Sequence, residues 1–172
     1  MMESEFTQGM WVGLGYANPS AYVSSVKPLE TVTWWEALEA ANAASAKDGL
    51  GACYTLTGCS GVMGQGRVCT GATVTASSGH PKDCEGWRLP TEAEWEHAAR
   101  AGTDLPYSGS ADPGDVAWFA DNNGAQGTSS YGTKAICTRP TPRNAWGLCD
   151  MCGNVHEWMW DPYESYAAGA ST

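Results

Sequence analysis

Residues 144–161 hold the densest set of chemically capable side chains in this chain. Asp150, Asn154 and Glu157 stand beside Gly147 and Gly153, whose freedom to turn lets polar atoms be aimed inward. Hard oxygen donors converging from tight turns are calcium chemistry. Cys149 and Cys152 form a Cys-x-x-Cys pair next to His156. Thiolates so placed can do redox work or hold a soft metal, but no βαβ pattern gives them a thioredoxin-like setting, and two inert thiols or one disulfide serve equally well. Trp146, Trp158 and Trp160 read as packing, so a tryptophan-rich core whose acids only cap its turns is the competing reading.

A second group lies upstream. Cys53, Cys59, Cys69 and Cys84 crowd into a Gly/Ser/Thr-rich stretch, residues 50–86, too small to bury much core of its own. Two disulfides among these four would hold a Cys-rich insert together. A zinc site competes, but the cysteines lack the close Cys-x2–4-Cys spacing of zinc ribbons. Spacing does not choose among the three pairings. Cys137 stands alone and reads as an incidental buried thiol.

The elements that must position these groups are few. A short helix over 5–14 is entered through Thr7. Thr33 and Glu36 form a capping box for a helix running to about residue 46 and ending near Gly49. Thr91 and Glu94 form another, ahead of a helix with Trp95, Ala98 and Ala99 on its inner stripe and Arg100 near its end. Arg88 can pair with a nearby acid. Residues 53–56 and 74–75 look like strand pieces. Residues 102–143, with one aromatic piece at Val116–Phe119, read as a long irregular excursion containing short strands, packed through Tyr107 and Trp118.

Nine tryptophans, two phenylalanines and 21 glycines point away from a helical bundle and toward an irregular α+β domain. The length of 172 residues suits one domain. Nineteen acids against nine bases give a net charge of −10, which disfavours nucleic acid and anionic membranes as partners. No apolar run reaches the length of a membrane span, and no signal peptide is visible. The cysteine content nonetheless suggests an oxidising, extracytoplasmic compartment: periplasmic, secreted or cell-surface.

Two blocks carry a family resemblance: Arg88-Leu89-Pro90-Thr91-Glu92-Ala93-Glu94-Trp95-Glu96, and residues 144–158 from Asn144-Ala145-Trp146-Gly147-Leu148 to Gly153-Asn154-Val155-x-Glu157-Trp158. Phe6-Thr7-Gln8-Gly9-x-Trp11, Asn18-Pro19-Ser20 and Val32-Thr33-Trp34-x-x-Ala37 precede them in order. Together they resemble the formylglycine-generating enzyme family, the sulfatase-modifying factors. The resemblance implies a C-type-lectin-like fold with two main helices, short antiparallel strands, much loop and bound calcium. It places the calcium ligands on the Asp150 and Glu157 side chains and the Gly153 and Val155 carbonyls. Residues 117–123 depart from the family's other calcium site. It also implies an activity for complete members, oxidation of a sulfatase cysteine to formylglycine with oxygen and copper. None of the seven cysteines here matches the catalytic, copper-binding pair of active members, and the block that carries that pair is not found before Thr172. The expectation is therefore one formylglycine-generating-enzyme-like domain over 1–172, C-terminally incomplete and not catalytic by itself. Its partner would be a sulfatase or another protein or peptide. The alternative is a non-catalytic, calcium-stabilised binding module on the same scaffold.

Overall fold

The computed structural model describes residues 1–162. In order, the chain forms α1 (Gln8–Gly13), α2 (Trp34–Lys47), β1 (Tyr54–Thr57), β2 (Gly71–Val74), α3 (Glu92–Arg100) and α4 (Pro113–Val116), with short 3-10 turns at Pro81–Asp83 and Ala120–Asn122. The two strands pair antiparallel, with Tyr54 opposite Val74 and Thr57 opposite Gly71. This is the expected α+β arrangement: two main helices, a minimal sheet and long connections.

Both capping boxes form. Thr33 and Thr91 accept from the amides of Glu36 and Glu94, and each glutamate accepts from the amide of its own threonine. The first helix is shorter than expected. Thr7 caps it and pairs with Pro28, while the Phe6 carbonyl accepts from Leu29, so the residues before Thr7 run extended against 27–29. That extended entry carries Glu5 away from α1. The short strands expected within 102–143 reduce to isolated bridges: Val116 ends α4, a turn started by Asp112 and Pro113, and Trp118 makes a single parallel bridge, to Gly153.

Glu36 does far more than cap a helix. It is 0 % exposed, and its Oε1 accepts from the successive amides of Gly64, Gln65, Gly66 and Arg67 at 2.7, 3.2, 3.1 and 3.0 Å. Gly64 is required there: its φ is +79°, and a Cβ would meet the Ala17 carbonyl oxygen at 2.4 Å. The Thr33 hydroxyl donates to the Arg67 carbonyl, and the Arg67 guanidinium reaches Glu39 one helical turn on. One buried carboxylate thus fastens the loop at 64–67 to the start of α2.

Cys53 pairs with Cys84 and Cys59 with Cys69, closing separations of 31 and 10 residues. With these pairs made, the four sulfurs offer no thiolates for zinc. Confining the unfolded chain in this way contributes about 3–4 kcal/mol per bridge on the chain-entropy estimate.

Three apolar clusters follow. Trp11, Ala40 and Met63 make one; Leu38, Cys53 and Tyr54, covered by Trp34, Trp35 and Trp160, make the second; Ala98, Ala99 and Met151, with Trp95 and Leu148, make the third. Residues of the 144–161 block belong to two of these, so the block is gripped by α2 on one side and α3 on the other. Trp160 stacks on Tyr54 with ring centroids 5.0 Å apart. Asn144 fixes the block's start: buried, it donates to the Ala98 carbonyl at the end of α3 and accepts from the Trp146 and Leu148 amides.

Glu36→Ala leaves these four amides without their buried acceptor. Losing a charged acceptor so engaged should lower stability by about 3 kcal/mol or more. Urea denaturation measures this; a loss under about 1 kcal/mol would show that the loop finds other acceptors.

Candidate metal centre

The block turns through residues with positive φ: Gly147 at +82°, Asp150 at +57°, Gly153 at +80° and Asn154 at +60°. Gly153 cannot be replaced cheaply, because a Cβ there would stand 2.3 Å from the Trp118 carbonyl oxygen, the same oxygen that accepts from the Asn154 amide. Asp150 is 4 % exposed, and its Oδ2 accepts from the Cys137 amide. Glu157 keeps solvent-accessible surface on one side, while the Trp95 indole donates to its Oε2 at 3.1 Å.

A third carboxyl joins them. Glu5 is 7 % exposed and accepts from the Asn154 side-chain amide at 2.8 Å and from the Val155 backbone at 3.3 Å. Burial, reinforced by the negative Asp150 and more weakly by Glu157, pushes its carboxyl up to about 9, with the Asn154 hydrogen bond opposing. Burial raises Asp150 against the pull of the Cys137 amide. It raises Glu157 as well, with the Trp95 hydrogen bond opposing and Asp150 adding to the rise. Among the described residues none of the three has a basic partner; the arginine–glutamate pairs lie elsewhere. Two buried carboxyls beside a more exposed third, with no cation among them, are unfavourable when ionised, and a hard divalent cation is what such a set would accept. Their oxygens do not all come within 4.8 Å of one another, so they do not form a closed carboxylate cage.

Asp150 and Glu157, expected from the sequence as ligands, are near enough for the charge of Asp150 to act on Glu157, with Gly153 and Val155 between them in the chain. Glu5 was missed. It lies 149 positions from Asn154, and no spacing rule links the two. Lys134, whose amide donates to the Asn154 side-chain oxygen, was missed for the same reason.

The cysteines differ from expectation. Cys137 is not alone: it pairs with Cys149, their Cα atoms 5.3 Å apart, and Cys152 is left free and half-buried. The Lys134 and Cys137 amides lay residues 134–138 along the block, which brings Cys137 to Cys149 across space. The one tight three-residue set of metal-binding types among the described residues is Cys137, Cys149 and Asp150. Its two sulfurs are bonded to each other, so it offers no soft-metal site. Two tryptophans also depart from expectation. Trp146 and Trp158 are 51 % and 48 % exposed, the first leaning on His97 and the second hydrogen-bonded to the Val32 carbonyl. Tyr107 is exposed too.

Short helices, a two-stranded sheet and long connections define a small, irregular α+β domain. The chain belongs to the FGE-sulfatase family, whose sulfatase-modifying factor enzyme 1-like domain it matches over residues 7–171. It is 36 % identical over 173 residues to chaperone protein LppX of Paenibacillus barcinonensis, covering 91 % of this chain and 60 % of that protein. It is 43 % identical over 82 residues to the formylglycine-generating enzyme of Mycobacterium tuberculosis, covering 42 % of this chain and 26 % of the enzyme. Among solved structures it resembles Treponema denticola variable protein 1, with a TM-score of 0.77 and 30 % identity, covering 98 % of this chain and 64 % of the other. The chain spans less than two thirds of the length of these relatives.

The raised Glu5 carboxyl gives a pH signature. Unfolded, the group ionises near 4.5; folded, it keeps its proton to about 9. The folded state therefore binds the extra proton between those values, and stability in chelator should fall as pH rises from about 5 to 9. Glu5→Gln should flatten that slope in urea denaturation. Equal slopes for both proteins would mean that Glu5 is not held neutral.

Proposed function

We propose that this chain is a calcium-stabilised, protein-binding domain of the sulfatase-modifying-factor family and that its own residues do not generate formylglycine. The convergence of Glu5, Asp150 and Glu157 without a basic partner carries the calcium reading. The Asp150 and Glu157 carboxylates and the Gly153 and Val155 carbonyls would hold the ion, with Glu5 as a further oxygen donor. Bound calcium would supply the positive charge that lets these acids ionise where they are buried. Copper does not fit: six of the seven cysteines are paired, and Cys152 alone offers one thiol rather than two. Binding of another protein is supported by the long match to a protein named as a chaperone. Three cysteine pairs support an extracytoplasmic setting, and no described helix is long and apolar enough to cross a membrane.

The match to the M. tuberculosis enzyme favours a second reading, in which a longer protein containing this domain oxidises a sulfatase cysteine. Incubating this chain with a sulfatase-motif peptide, copper and oxygen should yield no aldehyde by mass spectrometry; an aldehyde product would sink the non-catalytic reading. Calcium at a hundredfold excess over Kd should raise stability by about 2.7 kcal/mol. Melting indifferent to calcium and chelator would remove the metal site.

A further inference from the structure

Four of the five arginines pair with a glutamate: Arg67 with Glu39, Arg88 with Glu94, Arg100 with Glu96 and Arg143 with Glu3. Arg139 is the exception. In a chain with 19 acids, its guanidinium has no acidic partner among the described residues and lies 4.4 Å from the centroid of the Trp118 ring. Its Nε is buried without an acceptor, and its terminal nitrogens make no hydrogen bond to any described residue.

The surroundings hold this group rigid. Trp118 donates from its indole to the Thr138 hydroxyl at 3.2 Å, which sets the ring plane. Lys134 Nζ stands 5.3 Å from the same ring and is itself bound by Asn123 and the Gly132 carbonyl. Cys137, two residues before Arg139, is tied to the block through Cys149 and the Asp150 hydrogen bond. Trp118 also walls an open hollow whose other side is Gly153, Asn154, Val155 and His156.

We propose that Arg139, laid on the Trp118 ring that walls this hollow, is a subsite for a single carboxylate of a bound peptide. A planar guanidinium fork, stacked on an indole and free of acids, is preorganised for bidentate contact with one carboxylate. Lys134 adds positive charge beside it. The net charge of −10 repels polyanions, so one carboxylate, from an Asp or Glu side chain or a chain terminus, fits better than an acidic run. The subsite deepens the protein-binding reading above and rests on it.

The test follows the Trp118 indole N–H resonance, identified with Trp118→Phe, in the full chain with calcium and with chelator. Three peptides are titrated: acetyl-Ala-Ala-Glu amide, acetyl-Ala-Ala-Ala with a free carboxyl, and acetyl-Ala-Ala-Gln amide. One or both carboxylate peptides should shift the resonance saturably, the stronger of the two naming the source, while the Gln peptide does not. Arg139→Gln should weaken that binding by about tenfold or more, and Arg139→Lys, which keeps charge and loses the fork, by less. Both variants must show the wild-type pattern of folded resonances, which separates a lost contact from a lost fold. A Gln peptide that binds as well as the others would overturn the subsite while leaving a peptide-binding module intact. Undiminished binding to Arg139→Gln would overturn it too, and so would no shift with any peptide.

Discussion

Two buried carboxyls, Glu5 and Asp150, and the more exposed Glu157 feel one another's charge with no base to balance them among the described residues, and much of the fold serves to keep them there. Glu5 comes from an extended entry held by residues 27–29, Asp150 from a left-handed turn, and Glu157 from beneath the Trp95 indole of α3. Separating any of these supports would let an acid escape to water. Ionised carboxyls in such surroundings favour protonation or a cation over folding apart only while the scaffold is stiff.

Stiffness in a domain with so little regular structure has to come from specific fastenings. Glu36 gathers the amides of residues 64–67 onto α2; Asn144 ties the end of α3 to the start of the 144–161 block; three cysteine pairs close the loops between. The aromatic layer of Trp34, Trp160 and Tyr54 fills what the two-stranded sheet cannot cover. Each fastening is a polar or covalent point joined to a small apolar cluster, rather than one large core.

What was legible in the sequence is local. Thr33 with Glu36 and Thr91 with Glu94 announce helix starts because a capping box is closed within four residues. The turn that carries Asp150 is legible too, because Gly147 and Gly153 beside it permit positive φ. What was hidden depends on distant segments meeting. Glu5 accepts from the Asn154 side-chain amide, and Cys137, its amide donating to Asp150, reaches Cys149; no spacing in the sequence announces either meeting. Glu36 was visible as a cap, but not as the anchor of a loop 28 residues on. Trp146 and Trp158 mislead because a large ring can pack along one face and still show half its surface. The aromatic piece at 116–119 lies in a stretch that reads as holding short strands, yet its Trp118 forms a bridge only to Gly153.

Isothermal titration of calcium into the wild-type chain and Glu5→Gln tests the convergence of these carboxyls most directly. A single saturable site in the wild type, weakened when Glu5 loses its charge, is the expected result. No binding heat, or equal affinity in the two proteins, would contradict it and leave Glu5, Asp150 and Glu157 as neutral hydrogen-bonding groups of the scaffold.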